Sequence, residues 1–485
     1  MPAFSAFNGG FYQALSPTFA ADTAVNVYLE TRSVPGSAKT STLIGTPGQL
    51  LEGTVPSSGM RGEFAQDGRA WFVCGSTLYE RVSAGSYAVV GNVGTDGLPV
   101  SFASNGKGGD QMVLSSAGNV YVLNLNTNAL TMAVLPFTGA VMLAFIDGYV
   151  LALQKDSPIV WFSALENALS WDALDFFARS GTSDNIVGIA VTKDRVWCLG
   201  SKTATLFYDS GDTDTPFVPY PGTTMQIGLV SPWLMGVYAD QVFWVSVSSR
   251  GSRRVVMAMD AVPQPISTPP IDLWLQNCPT LAGAEMLIYE QDSHVFVNIT
   301  APDSPEDIQT YSFDAAEKMW AARAGWDAVR GVYTRWPVRG VMGIDGAVIV
   351  GDYRNGNIYE LSLTTYTDNG GIIRRERACP YVSDENQWLF VDSFELGAQV
   401  GVGLSSGQGV APVANLELSR DAGQTWVNAG TATLGAMGGY LARAIWRRLG
   451  RSRGDRLVFR VTQTDPVKTA WTGAWIRAQS GTGQL

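Results

Sequence analysis

The chain has 485 residues, which is too many for a single hydrophobic core of ordinary size, so two domains are expected. Hydrophobic residues make up 46% and charged residues 16%, which excludes an intrinsically disordered chain. The formal net charge of −10 argues against a protein that grips nucleic acid over its whole surface.

Charge is unevenly divided along the sequence. From Arg374 to the end there are 13 Lys and Arg against 9 Asp and Glu, whereas the rest holds 20 against 34. The front part therefore carries a net charge of −14 and the tail +4. This division predicts an acidic and a mildly basic unit.

The residues that could ligate metal or form disulfides are few and far apart. No C-x-x-C pair occurs, so buried free thiols are predicted rather than a zinc site or a disulfide framework. The single histidine, His294, alternates with apolar residues, which favours a strand position that is exposed or hydrogen-bonded over a catalytic base. The four cysteines are Cys74, Cys198, Cys278 and Cys379.

Neither a secretion signal nor a membrane anchor is expected. The N-terminal region has no positive segment followed by an apolar one, and its first basic residue is Arg32. The most apolar stretch, residues 140–153, is interrupted by Asp147 and is too short to span a bilayer. We therefore expect the chain to be made and kept in a reducing cytoplasm.

One pattern recurs between residues 60 and 365: a turn, then an alternating strand with a large residue near its middle. Successive markers are 40 to 54 residues apart, and each interval also contains a preceding apolar strand. Four short strands per period of this length are typical of propeller blades, whose faces are buried only against neighbouring blades. The alternative is a large β-sandwich with accidental spacing. The markers are Tyr79, Tyr121, Trp161, Phe207, Met257, Tyr311 and Tyr359.

The predicted fold is all-β: a propeller of seven, possibly six, blades followed by a smaller β-sandwich-like domain. The predicted domains are residues 1–59, an N-terminal extended segment contributing to the propeller; 60–375, the propeller; and 376–485, the C-terminal β domain. Gly106–Asp110 reads as a turn, and residues 164–177 as a short helix or an irregular insertion. Residues 437–449 are the best helical candidate.

The sharpest local motif is an Asp-box, the pattern S-x-D-x-G-x-T-W. Ser419 and Asp421 can hydrogen-bond the turn backbone, Gly423 supplies a positive φ, and Trp426 is expected to anchor the hairpin in the core. Asp-boxes also occur in sialidases, but there they repeat around the propeller. Here one complete copy lies outside the repeats, and the near match at Ser312 lacks the glycine. A structural role is therefore favoured over glycoside hydrolysis.

Arginines are concentrated near the C-terminus, with only Asp455 opposing them in the run. Arginine favours planar, bidentate contacts over diffuse charge. DNA contact is one interpretation, and an intersubunit or intrasubunit salt-bridge network is the preferred one. The interface candidates are Arg443, Arg447, Arg448, Arg451 and Arg453. No phosphate loop, nucleophile elbow or metal triad is recognisable, so no catalytic, cofactor-binding or metal-binding residue is assigned.

Several short motifs occur in an order that is similar to one known family. They are Val25–Glu30 with Gly45–Gly48, Trp171–Phe176 with Ser183–Val187, Pro216–Phe217, Ile227–Gly228, Ile266–Thr268, the Asp-box hairpin, Arg447–Gly450 and Thr464–Trp471. Because these motifs occur together and in this order, the chain resembles the packaged-DNA stabilisation protein of short-tailed phages, also described as the tail accessory or nozzle protein. Phe207–Asp209 departs from that family's pattern.

The resemblance implies a structural virion tail protein rather than an enzyme. Six copies would form a ring, or nozzle, below the portal and its adaptor, retain packaged double-stranded DNA and give it passage during ejection. It also implies a tail needle and tail fibres or spikes as partners, and assembly in the host cytoplasm. The alternative function is a propeller that binds glycans or cleaves them like a sialidase. Any DNA contact is expected to be passive, because an acidic front part repels phosphate.

Overall fold

The computed structural model describes residues 4–16, 19–32, 40–248, 250–383, 387–453 and 456–481. Nearly all regular structure is β, and the predicted fold class, a β-propeller followed by a smaller β-sandwich, is confirmed. The described helices are a 3-10 turn at Ser5–Phe7, the short α1 at Gly106–Gly109 and α2 at Pro269–Asn277. None of the described helices is long and apolar enough to cross a membrane.

The N-terminal region supplies five strands, which separate into two groups by their partners. They are β1 (Tyr12–Gln13), β2 (Ala21–Val25), β3 (Val27–Thr31), β4 (Ser41–Gly45) and β5 (Gly48–Thr54).

The first four blades are four-stranded antiparallel sheets formed by consecutive strands. Their aromatic and β-branched residues alternate and fill the spaces between blades. The strands are β6 (Met60–Gln66), β7 (Arg69–Cys74), β8 (Thr77–Ser83), β9 (Ser86–Asn92); β10 (Ser101–Ser104), β11 (Gln111–Ser116), β12 (Asn119–Asn124), β13 (Leu130–Met132); β14 (Ala140–Ile146), β15 (Tyr149–Gln154), β16 (Ile159–Phe162), β17 (Phe176–Ala178); β18 (Ile186–Thr192), β19 (Arg195–Gly200), β20 (Ala204–Asp209) and β21 (Phe217–Pro219).

Three further groups of antiparallel strands follow along the chain, and they belong to a five-stranded, an eleven-stranded and a six-stranded sheet. In the fifth blade two short strands share the inner position, and in the sixth an additional strand, β31, pairs with β30. The strands are β22 (Gly228–Leu229), β23 (Met235–Tyr238), β24 (Gln241–Val247), β25 (Arg253–Met259), β26 (Val262–Pro265); β27 (Glu285–Gln291), β28 (His294–Thr300), β29 (Thr310–Asp314), β30 (Met319–Asp327), β31 (Val332–Arg335); β32 (Val338–Ile344), β33 (Ala347–Asp352) and β34 (Asn357–Ser362).

The seventh blade takes its fourth strand from the N-terminal region: β5 pairs antiparallel with β34, Ser362 opposite Gly48. The first and seventh blades then share one apolar cluster, in which Met60 and Phe72 pack with Met342 and Ile349. A closed ring leaves no exposed sheet edge between its first and last blades.

The C-terminal strands form the two sheets of the sandwich, with a short hairpin leading into them. Phe394, Phe459, Trp471 and Leu43 fill the core between the sheets and are fully buried. The strands are β35 (Thr367–Asp368), β36 (Gly371–Ile372), β37 (Arg375–Ala378), β38 (Trp388–Ala398), β39 (Val413–Ser419), β40 (Val427–Thr433), β41 (Ala444–Arg453), β42 (Val458–Gln463) and β43 (Ala470–Gly481).

Strands from the N-terminal region also belong to the sandwich. One sheet has the order β3-β4-β43-β38-β41, and the other runs β2-β37-β42-β39-β40. β2 also touches the propeller through a single parallel pair, Val25 with Ala322. The segment 1–59 thus contributes strands to both domains: β5 pairs within the seventh blade, whereas β2, β3 and β4 belong to the sheets of the sandwich. The predicted domain boundaries themselves stay predictions.

The structure corrects two local expectations, and the first concerns Gly106–Asp110, where the short helix α1 stands in place of the expected turn. The helix expected at residues 437–449 is absent: turns lead into strand β41, whose alternating Ala444 and Trp446 are buried in the sandwich core. Residues 164–177 form turns that lead into β17, which agrees with the irregular insertion, one of the two alternatives for this segment. Helix α2 was not predicted, because it is only nine residues long and its start at Pro269 reads as a turn.

Candidate functional site

The Asp-box closes the turn between β39 and β40. The Ser419 hydroxyl donates to Asp421 Oδ1 at 2.6 Å and accepts the Gly423 N–H at 2.8 Å. Asp421 Oδ1 also accepts the Thr425 N–H at 2.8 Å, and Gly423 has a φ of 90°. Because these donors stabilise the carboxylate, the pKa of Asp421 is lowered to about 2. The motif therefore works as a rigid turn.

Trp426 lies at the domain surface rather than in the sandwich core. Its ring is half-buried against Ala21 and Val458, and the guanidinium carbon of Arg460 lies 4.0 Å from the ring centroid. Arg460 in turn pairs with Glu417 at 2.7 Å. The expectation of a core anchor is replaced by a cation–π stack at the edge of the hairpin.

The second residue of the Asp-box connects the turn to the other sheet. Arg420 Nε donates to the Arg451 carbonyl at 3.1 Å, and its Nη2 donates to the Leu449 carbonyl at 2.9 Å. Both carbonyls belong to β41, so the Asp-box hairpin supports the strand that carries the predicted interface arginines. Sequence reasoning had missed Arg420, although its place inside the Asp-box was visible.

A β-bulge interrupts the pairing of β41 with β38. Arg447 lies opposite Ser393 and Gly450 opposite Val391, so Arg448 and Leu449 share one position. Arg448 adopts a φ of 59°, a conformation that costs a non-glycine residue energy. The bulge turns two consecutive arginines, Arg447 and Arg448, to solvent, as bulges near functional surfaces often do.

The five predicted arginines lie along the same strand and are exposed, but they differ in their partners. Arg443, one residue before β41, makes a bidentate pair with Glu395 at 2.9 and 2.8 Å. The guanidinium of Arg451 lies 4.7 Å from the centre of the Trp388 ring. In the described part of the chain, no carboxylate lies within 4.0 Å of Arg447, Arg448, Arg451 or Arg453. Asp455 lies outside the described residues.

A further arginine, Arg477 on β43, faces the same side. The register places it opposite Ser393, as it does Arg447, and the two arginines cover that serine. Arg477 lies 3.6 Å from Asp392, and Arg448, Arg451 and Arg477 line a shallow groove of about 580 Å³. We call Arg447, Arg448, Arg451, Arg453 and Arg477 the arginine face. Arg477 was missed because nothing local in the sequence places β43 beside β38.

The propeller has an open funnel of about 1130 Å³ where its inner strands begin. Its buried carboxylate, Asp184, accepts the N–H groups of Lys202 and Thr203 and pairs with Arg179 at 3.0 Å. The pKa of Asp184 is therefore about 2, although burial alone would raise it. A carboxylate so fully hydrogen-bonded positions loops and is not poised to exchange a proton.

The single histidine and the four cysteines are all buried. His294 is buried, and its Nδ1 lies 2.6 Å from Asp314, whose hydrogen bond raises the histidine pKa. The four cysteines are free and buried. Across the described residues, no group of three His, Cys, Asp or Glu side chains could hold a metal ion.

Two family models match the chain and together span nearly all of it. Residues 6–366 match the model described as bacteriophage P22 Gp10, beta-propeller, and residues 374–479 match the one described as bacteriophage P22 Gp10, beta-sandwich. No curated protein matches the sequence.

The chain is also similar, at low sequence identity, to several solved structures. The extracellular domain of a putative hybrid two-component system from B. thetaiotaomicron is 9% identical, with a TM-score of 0.44 over 73% of this chain and 45% of that one. An ancestral GH74 enzyme is 11% identical, with a TM-score of 0.40 over 74% and 54%. The computationally designed Ika8 protein is 11% identical, with a TM-score of 0.35 over 65% and 100%.

Proposed function

Because the chain belongs to the bacteriophage P22 Gp10 family, a family of phage tail proteins, we propose that it is a non-enzymatic virion protein that forms a ring of six copies below the portal and adaptor. The ring retains packaged DNA and gives it passage during ejection. It assembles in the host cytoplasm and also meets the tail needle and the tail fibres or spikes.

The observation that carries the assembly step is the arginine face. Its guanidinium groups lie on a stiff sheet, and four of them have no carboxylate partner among the described residues. Exposed ion pairs each contribute only about 0.2–1 kcal/mol, so scattered contacts could not hold a ring together. A contact that buries several arginine–carboxylate pairs contributes more to the free energy of association. The bidentate geometry of these pairs also fixes the orientation of the two surfaces.

The partner of this face is an acidic protein surface, either the adaptor or the neighbouring copy. The front part of the chain has a net charge of −14, so a second copy offers such a surface. The bulge at Arg448 supports this role, because its strained backbone serves to turn a second arginine outward.

The same charge distribution suits a passive path for DNA. Duplex DNA carries one negative charge per about 1.7 Å, so a channel lined with Lys and Arg would bind it tightly and slow its exit. A mainly acidic propeller has no such trap, and the arginine face lies on the other domain.

The decisive experiment is assembly by the double variant Arg447→Ala/Arg448→Ala. We expect it to fold with an unchanged midpoint of thermal unfolding but to form fewer rings, alone or with portal–adaptor complexes, as counted by electron microscopy. The matched control is Arg250→Ala/Arg330→Ala, which removes two exposed arginines of the propeller and should assemble normally.

Full assembly of the Arg447→Ala/Arg448→Ala variant would show that the arginine face is ordinary solvated surface. Wild-type monomers that ignore portal–adaptor complexes but hydrolyse a sialoside would instead favour the glycosidase alternative.

A further inference from the structure

A second group of basic side chains lies inside the sandwich, where the hairpin from the propeller enters it. Arg375, the first residue of β37, has an exposed fraction of 0%. A Cβ on Gly45 would lie 2.5 Å from Arg375 Nε and 3.0 Å from Thr469 Cβ. The guanidinium therefore reaches from one sheet to β4 and the start of β43 in the other, and only glycine leaves it room.

This guanidinium has no hydrogen-bond acceptor. Nε, Nη1 and Nη2 of Arg375 are all buried without a partner among the described residues. Arg377, two residues later on the same strand and the same face, is different. It donates to the carbonyls of Phe7 at 2.7 Å and Gly10 at 2.8 Å, and it pairs with Asp22 at 3.2 Å. The sandwich therefore has the means to satisfy a buried arginine, yet it leaves Arg375 without an acceptor.

A second unsatisfied donor lies beside it. Gln463 on β42 is directly opposite Arg375, so the two side chains share a face of the sheet and are within contact range. Gln463 Oε1 accepts the indole N–H of Trp471 at 3.2 Å, which fixes the orientation of the amide. Its Nε2 is then left buried without an acceptor. The site offers N–H groups from two strands and no oxygen to receive them.

The positive charge is also poorly balanced. No carboxylate of the described residues lies within 4.0 Å of Arg375, and its closest charge influence is Asp368 in the hairpin. Burial raises the pKa of Asp368 to about 7, so its carboxyl group is only partly ionised at neutral pH. Burial lowers the pKa of Arg375 only to about 10, so its guanidinium stays charged. A buried charge without a partner is strongly unfavourable.

We propose that Arg375 and Gln463 bind one small monovalent anion of the halide class inside the sandwich. A halide accepts N–H groups from several directions and itself needs no acceptor. A water molecule fits less well, because it would bring two protons into a site that already lacks acceptors. A bound anion would link the side chains of β37 and β42 at the place where Arg375 packs against Gly45 of β4.

Thermal unfolding of the whole chain tests the proposal. Bromide or chloride should replace methanesulfonate at constant ionic strength, and we expect the unfolding midpoint to rise with halide and then saturate, as for a ligand that binds only the native state. Arg375→Met should abolish this saturable rise, whereas Arg453→Met, which removes an exposed arginine, should keep it. A wild type that does not respond to halide, or an unchanged response in Arg375→Met, would refute the proposal.

Two measurements remain decisive if Arg375→Met does not fold. Gln463→Glu places a carboxylate opposite Arg375, so we expect this variant to be stable without halide and insensitive to it. Bromide-soaked crystals of the wild type should show an anomalous peak beside Arg375 and Gln463. Electron density at this position without an anomalous signal would mean that water occupies the site, which would refute the proposal. A halide response retained in Gln463→Glu would place the halide elsewhere and would refute it as well.

Discussion

The centre of the propeller and the arginine face of the sandwich use arginine in opposite ways. In the propeller, Arg61 is 3% exposed and is enclosed by acceptors from its own blade, from the second blade and from the loop between the two. In the sandwich, Arg447 and Arg448 are exposed, and the described chain brings no carboxylate to them. Arg61 completes contacts within its own chain, as Arg377 does inside the sandwich, whereas the arginine face is left available to another chain.

Geometry explains the difference. The loops between blades meet where the inner strands begin, and their carbonyl groups point into a narrow space there. Arg61 fits this space with its rigid fork: it donates to the carbonyls of Leu98, Gly75 and Gly94 at 2.7, 3.0 and 2.9 Å, and to Asp96 at 2.7 Å. In the outer sheet of the sandwich most carbonyl groups are used in the strand ladder, and Arg420 occupies two of those at the edge strand β41.

Arg61→Ala should produce the largest loss of stability. It leaves Asp96 and several carbonyl groups without their donor, so we expect the free energy of unfolding to fall by about 3–5 kcal/mol. Denaturant unfolding followed by tryptophan fluorescence measures this change.

Arg453→Ala is the matched control from the sandwich and should change the free energy of unfolding by less than about 0.5 kcal/mol. Equal losses in the two variants would mean that the sandwich arginines are structural after all, and the contrast between the two regions would disappear.

Carboxyl groups give the second contrast. Asp184 is buried but fully hydrogen-bonded, whereas both oxygens of Glu63 are buried without a partner among the described residues. Glu63 lies where the first and seventh blades meet, since its Cγ is 3.0 Å from the position a Cβ on Gly340 would take. Burial, and then the charge of Glu52, raises the pKa of Glu63 well above its ordinary value.

Glu63→Met should therefore stabilise the propeller by about 1–3 kcal/mol at neutral pH, because it removes an unsatisfied buried group. A raised native pKa means that stability is fully present below the ordinary glutamate pKa and is lost as the pH rises toward the native value. The gain from Glu63→Met should accordingly grow with pH when the unfolding midpoint is measured from pH 4 upward. Glu360→Gln, at a partly exposed site of the seventh blade, is the control. A gain that does not depend on pH would contradict this account.

The propeller could be predicted from the sequence because its period is local. All seven markers lie on the third strand of their blades, for example Tyr79 on β8 and Tyr359 on β34. Each third strand packs against equivalent neighbours, so the same residue type recurs at the same interval. The pairing of β5 with β34 has no comparable signal, because it joins residues about three hundred positions apart.

The candidate site was predictable only in part. The run of arginines was visible, but a β-bulge depends on long-range pairing, and without that pairing the run reads as helical. The same limit applies to Arg375 and Arg377, which share an alternating pattern and a strand. Only the fold shows that one of them meets carbonyl groups and the other meets none.

The smallest effects are expected for two aspartates, one in a turn of each domain. Asp421 in the sandwich is partly exposed and Asp212 in the propeller is exposed. Both lie in turns and accept backbone N–H groups, Asp421 that of Thr425 and Asp212 that of Thr215 at 3.0 Å. Both pKa values are lowered, that of Asp421 to about 2. Such a group stabilises the fold above its ordinary pKa, and this contribution is lost as the pH falls toward the native value. Asp421→Ala and Asp212→Ala should each lower the unfolding midpoint slightly at pH 7, with the difference from wild type shrinking near pH 2.

Only Asp421→Ala should also reduce ring assembly, because its turn carries Arg420, which holds the carbonyls of Leu449 and Arg451 beneath the arginine face. Equal assembly by both variants would show that the face keeps its shape without the Asp-box.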